Sequence, residues 1–304
     1  MISQSGSSGI SGILLLNKPL FLSSNAALQK VKRLFQAKKA GHTGSLDPLA
    51  TGMLPICLGE ATKFSQYDLE SDKTYLATGL LGIKTSTGDK AGEIIATKAV
   101  KNFTVDEIYT ILQKFCGQSL QIPSMFSALK YKGRPLYDYA RKGITIERVA
   151  RPIHVKSLEL LEFADNKIEI KVTCSKGTYI RNLIEDIGEQ LGCGAHVSLL
   201  HRVSTASYYD KPMYTLEDLE SMDPTSRYQC LLSMDLPVKH LSSITLTAEQ
   251  YTSLYQGRII VLPAQGFTGE VVRLYDNIQR FLGLGIWDSS HLLRAKRLLS
   301  FVGE

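Results

Sequence analysis

The sequence predicts an α+β fold followed by a smaller β-rich domain. Strand-like runs are separated by amphipathic helices and a hairpin, and they do not repeat as βαβ units. The 304 residues, of which 44% are hydrophobic, suffice for one large domain with its own core and a small second one. A polar stretch at 221–228 predicts a linker, and a separate series of elements begins near residue 244.

The first half of the chain begins with a short apolar run at 13–16 that is typical of a buried strand. Ser23 or Ser24 can cap the next helix, whose apolar stripe consists of Ala27, Leu28, Val31, Leu34 and Phe35. A capping box at 104–107 opens a further helix, which Gly117 is expected to end. The elements predicted between these two helices are a buried segment at 53–58, a strand at 73–82 and a loop at 85–92.

The second half combines a short helix, a hairpin and a long helix. The predicted elements are a helix between Pro135 and Gly143, a hairpin turning at 164–166, an amphipathic helix opened by 175–181 and closed by Gly192, and a strand at 197–206. After the linker, a capping box at 247–250 opens a helix that ends near Gly257. Four strands are predicted after it, at 258–262, 269–275, 279–286 and 293–299.

The loop 41–52, GHTGSLDPLATG, has the composition of a shaped loop rather than of a helix or a strand. Its glycines allow backbone geometry that other residues avoid, and Pro48 fixes its own φ. The loop holds one acid, Asp47, and follows a basic stretch without acids that contains Lys30, Lys32, Arg33, Lys38 and Lys39. From residue chemistry alone, Asp47 is either a turn former bonded to nearby amides or a reactive acid facing a polyanion.

A basic segment at 123–152 stands out by charge. Its two acids are outnumbered by Lys130, Lys132, Arg134, Arg141, Lys142, Arg148 and Arg151. Three tyrosines lie among these cations, and this mixture suits phosphate contacts combined with base stacking. The alternative is an ordinary exposed helical excursion.

Arg181 lies beside the apolar stripe of the helix opened by 175–181. One interpretation is a surface pair with Glu185, one turn further along the helix. The other is a buried arginine, which needs an acidic partner because burying an unpaired cation is costly.

Composition narrows the class of protein. The net charge of +6 leans mildly toward anionic partners. The five cysteines form no Cys-x-x-Cys pair, so we expect free thiols, a reducing cytoplasm and no metal site. The Ser/Gly-rich residues 1–11 predict a disordered tail rather than a signal peptide, and no apolar run approaches the ~18 residues of a membrane span.

Several separated motifs resemble those of the TruB family of pseudouridine synthases. They are Leu16-Asn17-Lys18-Pro19, the Asp47 loop, Lys73-Thr74-Tyr75, Ser127-Ala128-Leu129-Lys130, Arg151-Pro152, Lys176-Gly177-Thr178-Tyr179-Ile180-Arg181, and Gly194-Ala195-His196-Val197 leading to Leu200-His201-Arg202. The resemblance implies a pseudouridine-synthase fold with a mixed, mainly antiparallel central sheet and flanking helices. It also implies a catalytic domain at 12–235, with 123–152 as an RNA-binding insertion, and a PUA-like RNA-binding domain at 240–304.

The resemblance also assigns roles to single residues. Asp47 matches the family's catalytic aspartate, Arg181 the arginine paired with it, and Tyr75 a tyrosine that packs on the target base and is implicated in proton transfer. His42 matches the histidine that fills the gap left by the flipped nucleotide. The other positions implied to bind substrate are Tyr179, Leu200, Lys18, Lys130 and Arg202.

The implied reaction is the isomerisation of uridine 55 in the T loop of tRNA, with no metal or other cofactor. Its chemistry needs an ionised carboxylate, and a paired arginine is expected to keep Asp47 ionised by lowering its pKa. The expected partner is the T stem-loop, with no membrane or protein partner, and the chain is expected to act as a cytoplasmic monomer. Two alternatives remain: a non-catalytic tRNA-binding or RNA-chaperone protein of the same fold, and a related synthase that modifies another RNA.

Overall fold

The computed structural model describes residues 9–263, 266–289 and 291–300. The α-helices are α1 (Ser24–Leu34), α2 (Ser65–Leu69), α3 (Val105–Gln113), α4 (Leu136–Ala140), α5 (Ile180–Gln190), α6 (Leu216–Ser221), α7 (Pro224–Gln229) and α8 (Ala248–Tyr255). The strands are β1 (Gly12–Lys18), β2 (Ala40–His42), β3 (Ala50–Leu58), β4 (Lys73–Leu81), β5 (Ile83–Thr85), β6 (Ile94–Thr97), β7 (Gly117–Gln121), β8 (Lys130–Tyr131), β9 (Arg134–Pro135), β10 (Arg151–Ala164), β11 (Lys167–Cys174), β12 (Ala195–Thr205), β13 (Ser243–Thr245), β14 (Ile260–Val261), β15 (Val271–Tyr275), β16 (Phe281–Trp287) and β17 (Leu292–Leu298).

An eight-stranded sheet forms the centre of the larger unit. Its order is β1-β3-β12-β4-β11-β10-β7, and β2 pairs with β3. The pairing of β12 with β3 is parallel, and the other pairings in this sheet are antiparallel. The predicted mixed, mainly antiparallel sheet with flanking helices is therefore confirmed.

Two apolar clusters meet at the middle of this sheet. In one, Leu183, Ile184 and Ile187 of α5 pack with side chains of β10 and β11. The other joins the apolar stripe of α1 to β1 and β3. Tyr75 of β4 and Leu200 of β12 are partly buried against both clusters, so the sheet offers a half-open position where the clusters adjoin.

The C-terminal β-rich unit is a five-stranded sheet of order β13-β15-β16-β17-β14. Its core includes Leu254 of α8 with Leu274, Trp287 and Leu293 of the strands. This architecture confirms the predicted small β-rich domain, and the capping box of α8 is present as expected, with Thr247 bonded to Gln250.

The predicted hairpin is also confirmed and is formed by β10 and β11. Its two turn residues, Asp165 and Asn166, have φ of 50° and 60°. Two successive left-handed residues are the requirement of a type I′ turn, which matches the right-handed twist of the strands it joins.

Two boundary predictions were wrong. Helix α3 ends at Gln113, and Gly117 instead opens strand β7 at a φ of 97°. The stretch predicted as a linker contains the end of α6 and most of α7, because Asp223 caps α7 at the backbone amides of Thr225 and Ser226. Arg227 then donates to the carbonyls of Leu219, Leu34 and Met222, which ties α7 to α1.

The predicted disordered tail at 1–11 falls mostly outside the described residues, which begin at Gly9. No described helix is long and apolar enough to cross a membrane.

Candidate active site

The loop that carries Asp47 connects β2 to β3 and is held by hydrogen bonds along its length. The backbone amide of Thr43 donates to the Pro55 carbonyl at 3.1 Å. The hydroxyl of Ser24 accepts from the Leu46 amide at 2.8 Å and donates to the Leu46 carbonyl at 2.9 Å. Gly44 adopts a φ of 98°, which a residue with a side chain rarely adopts, and the loop turns there. Asp47 is therefore presented by a fixed backbone.

Arg181 lies at the start of α5 and forms an ion pair with Asp47. Its Nε is 2.9 Å from Asp47 Oδ2. Its Nη1 donates to the Thr87 carbonyl and its Nη2 to the Phe126 carbonyl, each at 2.9 Å. The guanidinium is buried, with 5% of the side chain exposed, whereas 41% of the Asp47 side chain remains exposed. Of the two interpretations of Arg181, the buried arginine with an acidic partner is the one this structure displays.

Asp89 is a third charged group at this site, and the sequence analysis did not identify it. Its Oδ2 lies 3.9 Å from Arg181 Nη1. Its Oδ1 accepts from the Thr87 hydroxyl at 2.7 Å and from the Ala91 amide at 3.0 Å. The available signal was an acid in a Gly-punctuated loop, the same combination that marks Asp47.

The electrostatics of Asp47 differ from expectation. Burial beside the cleft is the largest influence and raises the pKa of the Asp47 carboxyl, and the charge of Asp89 raises it further. Arg181 and Lys18 lower the pKa, but their combined effect does not offset burial. Arg181 thus lowers the pKa of Asp47 in the expected direction, but burial exceeds it and leaves the net pKa raised.

A narrow cleft opens beside the ion pair. The described residues that line it are Asp47, Leu49, Ala50, Asp89, Lys90, Arg181, Val197, Ser198 and Leu200. The cleft thus combines one apolar wall, from Leu49, Val197 and Leu200, with a charged end. Such a lining can exclude water around a planar ring while keeping one carboxylate within reach.

Tyr75 and Tyr179 lie near the same charges. Burial raises the pKa of the Tyr75 hydroxyl, although Arg202 lowers it by charge and by a hydrogen bond. Tyr179 precedes α5, and its amide and carbonyl are both bonded by the side chain of Gln121. Both phenols are neutral at ordinary pH, since burial raises the pKa of Tyr179 as well.

His42 ends β2, directly before the Asp47 loop. Its Nδ1 is buried and has no hydrogen-bond partner among the described residues. Burial and the nearby Arg202 lower the pKa of the imidazole, so the ring is neutral at pH 7. A neutral, partly buried ring is suited to stacking.

Lys18 and Arg202 are placed differently from surface substrate contacts, because both are fully buried. Lys18 Nζ donates to the carbonyls of Pro19 and Leu22, and burial lowers its pKa to about 8. Arg202 donates to the Met53 carbonyl at 2.6 Å and to the Gly44 carbonyl at 3.0 Å. In this structure both cations support the backbone beneath the Asp47 loop.

Lys130 lies outside this cluster, on the exposed hairpin of β8 and β9. The segment around it exposes most of its basic side chains. Within the described residues, no group of three His, Cys, Asp or Glu side chains is arranged to hold a metal ion.

Comparisons with known proteins agree with this geometry. Residues 32–180 match the family described as "TruB family pseudouridylate synthase (N terminal domain)". Residues 181–239 match "tRNA pseudouridylate synthase B C-terminal domain", and residues 242–299 match "Pseudouridine synthase II TruB, C-terminal".

Curated relatives and solved structures are similar over nearly the whole chain. A protein named tRNA pseudouridine synthase B from Legionella pneumophila (strain Lens) is 51% identical over 96% of each chain. One of the same name from Marinomonas sp. (strain MWYL1) is 50% identical over 91% of each chain. A chain from a Cbf5-Nop10-Gar1 complex superposes with a TM-score of 0.70 at 25% identity, covering 92% of this chain and 79% of the other.

Proposed function

Because the chain belongs to the TruB family of pseudouridine synthases, it isomerises uridine to pseudouridine in tRNA, and we propose that the target is uridine 55 in the T loop. The observation that carries the proposal is the ion pair of Asp47 and buried Arg181 at the charged end of the cleft. The names of the relatives support catalysis, and no observation favours a non-catalytic RNA-binding protein.

The reaction breaks the bond between N1 of uracil and C1′ of ribose and rejoins the base through C5. C5 loses its proton and N1 gains one, so the product is an isomer and no oxidant or reductant is consumed. A carboxylate can assist by attacking C1′, by adding to C6 of the base or by deprotonating C2′. Each of these steps requires ionised Asp47, and Arg181 stabilises that state against the burial that opposes it.

The base must leave the stacked T loop before it can reach Asp47, at a cost of a few kcal/mol. His42 fills the space that the base leaves, since its neutral ring can stack on the remaining bases. Tyr75, Leu200 and Tyr179 hold the flipped uracil beside Asp47. Arg202 holds the backbone of the loop at Gly44, and Lys18 holds the neighbouring turn at 19–22, whose Phe21 amide donates to the Pro48 carbonyl.

The remaining surfaces position the RNA. The insertion at 123–152, which includes exposed Lys130, closes over the stem-loop through phosphate contacts and stacking. The PUA-like unit at 240–304 contacts phosphates outside the loop, while residues 12–235 carry the catalytic site. We assign the protein to the cytoplasm, where tRNA is its substrate. We also assign it as a monomer, which needs no partner chain to complete the site.

The test is pseudouridine mapping of tRNA isolated from cells that lack their own enzyme of this type, with and without this protein. Pseudouridine is expected at position 55 with the wild-type protein. The Asp47→Asn variant should lose more than about 100-fold in single-turnover rate while its tRNA affinity stays within about threefold, because the carboxylate acts on the barrier and phosphate contacts set binding. Product at another position would contradict the assigned target, and residual turnover above a hundredth of wild type would contradict the role of Asp47.

A further inference from the structure

A second carboxylate, Asp68, is buried beneath the Asp47 loop. It lies on α2 and has no exposed surface. Its Oδ2 accepts a hydrogen bond from the hydroxyl of Thr43, and its Oδ1 lies 3.4 Å from the hydroxyl of Thr205. The side chain of Ser207 bonds to it as well. The side chains that form hydrogen bonds with the Asp68 carboxylate are therefore hydroxyl groups.

The cations near Asp68 are engaged elsewhere. Lys73 Nζ donates to the backbone carbonyls of Asp68, Leu69 and Ser71, and Arg202 donates to carbonyls of β3 and of the Asp47 loop. Burial raises the pKa of Asp68 and the charges of Lys73 and Arg202 lower it, but among the described residues the side chains that donate hydrogen bonds to its carboxylate are hydroxyls. Since a buried carboxylate needs hydrogen bonds, the hydroxyl of Thr43 is an important part of its stabilisation.

Thr43 connects the Asp47 loop to the structure beneath it. It is fully buried, it follows His42, and it precedes Gly44, where the backbone turns at a positive φ of 98°. Its side-chain bond to Asp68 and its amide bond to Pro55 fix the loop on the N-terminal side of this glycine. The Ser24 contact fixes it on the other side, at Leu46.

We propose that Asp68 is a positioning residue for the reaction, because its carboxylate holds Thr43 and thereby sets the placement of His42 and Asp47. The inference rests on the proposed function. Asp68 touches no reacting atom, so its contribution lies in the geometry of the loop. A displacement of about 1 Å at a reacting group can cost on the order of 100-fold in rate.

The experiment measures single-turnover rates at saturating tRNA, tRNA affinity and melting temperature for Asp68→Ala, Thr43→Val and the double variant. Each single variant should lower the rate by about 10- to 100-fold with affinity within about threefold. The double variant should lose no more than the worse single variant, because both remove the same bond. Thr43→Ser keeps the hydroxyl and should keep the rate within about threefold of wild type.

Asp235→Asn provides the matched control, since it disturbs a carboxylate that accepts from a hydroxyl, that of Tyr275 at 2.6 Å, and whose other side-chain partners are Ser233 and Arg273 rather than residues of the loop. An equal rate loss in this control at a similar fall in melting temperature would show general destabilisation and overturn the inference. So would wild-type rates in both single variants, or losses that multiply in the double variant. Absence of product with the wild-type protein would overturn the proposed function and the inference together, whereas wild-type product with unimpaired variants would overturn the inference alone.

Discussion

At the scale of single residues, groups around Asp47 shift its pKa in opposite directions. Burial and Asp89 raise the pKa of its carboxyl, while Arg181 and Lys18 lower it. The reaction needs the ionised form, so the rate must fall as the pH drops through this raised pKa. The charges around Asp47 can therefore be tested one at a time by the position of the acid limb of a pH–rate profile.

Arg181→Met removes the strongest influence that lowers the pKa of Asp47. The pKa should rise further, so the acid limb of the single-turnover profile should move to higher pH. The rate at saturating tRNA should fall by about 100-fold at neutral pH, because the carboxylate also loses its orienting partner. An acid limb at the wild-type position would contradict the ion pair. Arg181→Lys, which keeps a charge, should shift the limb less.

Asp89→Asn should shift the profile the other way. The charge of Asp89 raises the pKa of Asp47, so its removal should lower that pKa and move the acid limb to lower pH. The amide oxygen of asparagine can still accept from Ala91, which preserves the loop. Asp106→Asn, at the exposed first turn of α3, is the control and should leave the profile unchanged. A shift of the Asp89→Asn profile to higher pH would show that Asp89 acts mainly by holding Arg181.

At the scale of elements, the basic segment at 123–152 is joined to the candidate active site at its root. The Phe126 carbonyl accepts from Arg181, and the Ile122 carbonyl accepts from the side chain of Asn182 on the same helix. Arg148 returns to the Pro123 carbonyl at the base of the segment. Beyond this root the segment holds only short elements, namely β8, β9 and α4.

Hydrogen exchange should therefore distinguish the segment 130–142 from the turn of the β10–β11 hairpin. Amides of 130–142 should exchange rapidly in the free protein and slow down when a T stem-loop is bound, because phosphate contacts order a segment with few buried apolar groups. The hairpin turn at 164–167 lies outside the proposed RNA surface and should exchange equally in both states. Equal protection of 130–142 with and without RNA would contradict the closing role of the segment.

At the scale of the whole molecule, the C-terminal unit and the larger unit share an apolar contact. Its core consists of Phe64, Val238, Phe281, Leu284 and Leu299, in which the rings of Phe64 and Phe281 lie 5.2 Å apart. Glu60 accepts from the Ser300 amide at 2.7 Å, and Lys63 donates to the Leu298 carbonyl at 2.9 Å. The C-terminal unit is thus packed directly on the segment that leads into α2.

Truncation of residues 240–304 should weaken binding to whole tRNA and also lower the melting temperature. Exposing the Phe64 side chain alone costs about 1.5–3 kcal/mol. The comparison measures single-turnover rates and affinities of the truncated and whole chains on a T stem-loop and on full tRNA. A second truncated chain carries Phe64→Thr, which replaces the newly exposed aromatic side chain by a polar one. Undiminished affinity of the folded truncation for full tRNA would contradict an RNA-binding role for this unit. Normal binding without reaction would contradict the placement of the active site within 12–235.

The sequence by itself determined the features that depend on near neighbours. The capping boxes at Thr104 and Thr247 and the turn at Asp165 and Asn166 are confirmed because each is set by contacts within a few residues. The motif loop and the order of the other motifs indicated the family. The end of α3 and the linker were misjudged, since glycine serves strand starts as well as helix ends and polar residues also form short surface helices.

Only the tertiary structure decided which residues contact Asp47 and in which direction its pKa is shifted. Arg181 was open to two interpretations until the fold placed it against Asp47, and Asp89 and Asp68 were not identified because their partners are distant in the chain. The net pKa direction of Asp47 likewise depends on burial, a property of the assembled sheet and loops that residue type cannot express. Local pattern determines elements and turns, whereas the balance of desolvation and charge at a site exists only once distant segments are packed together.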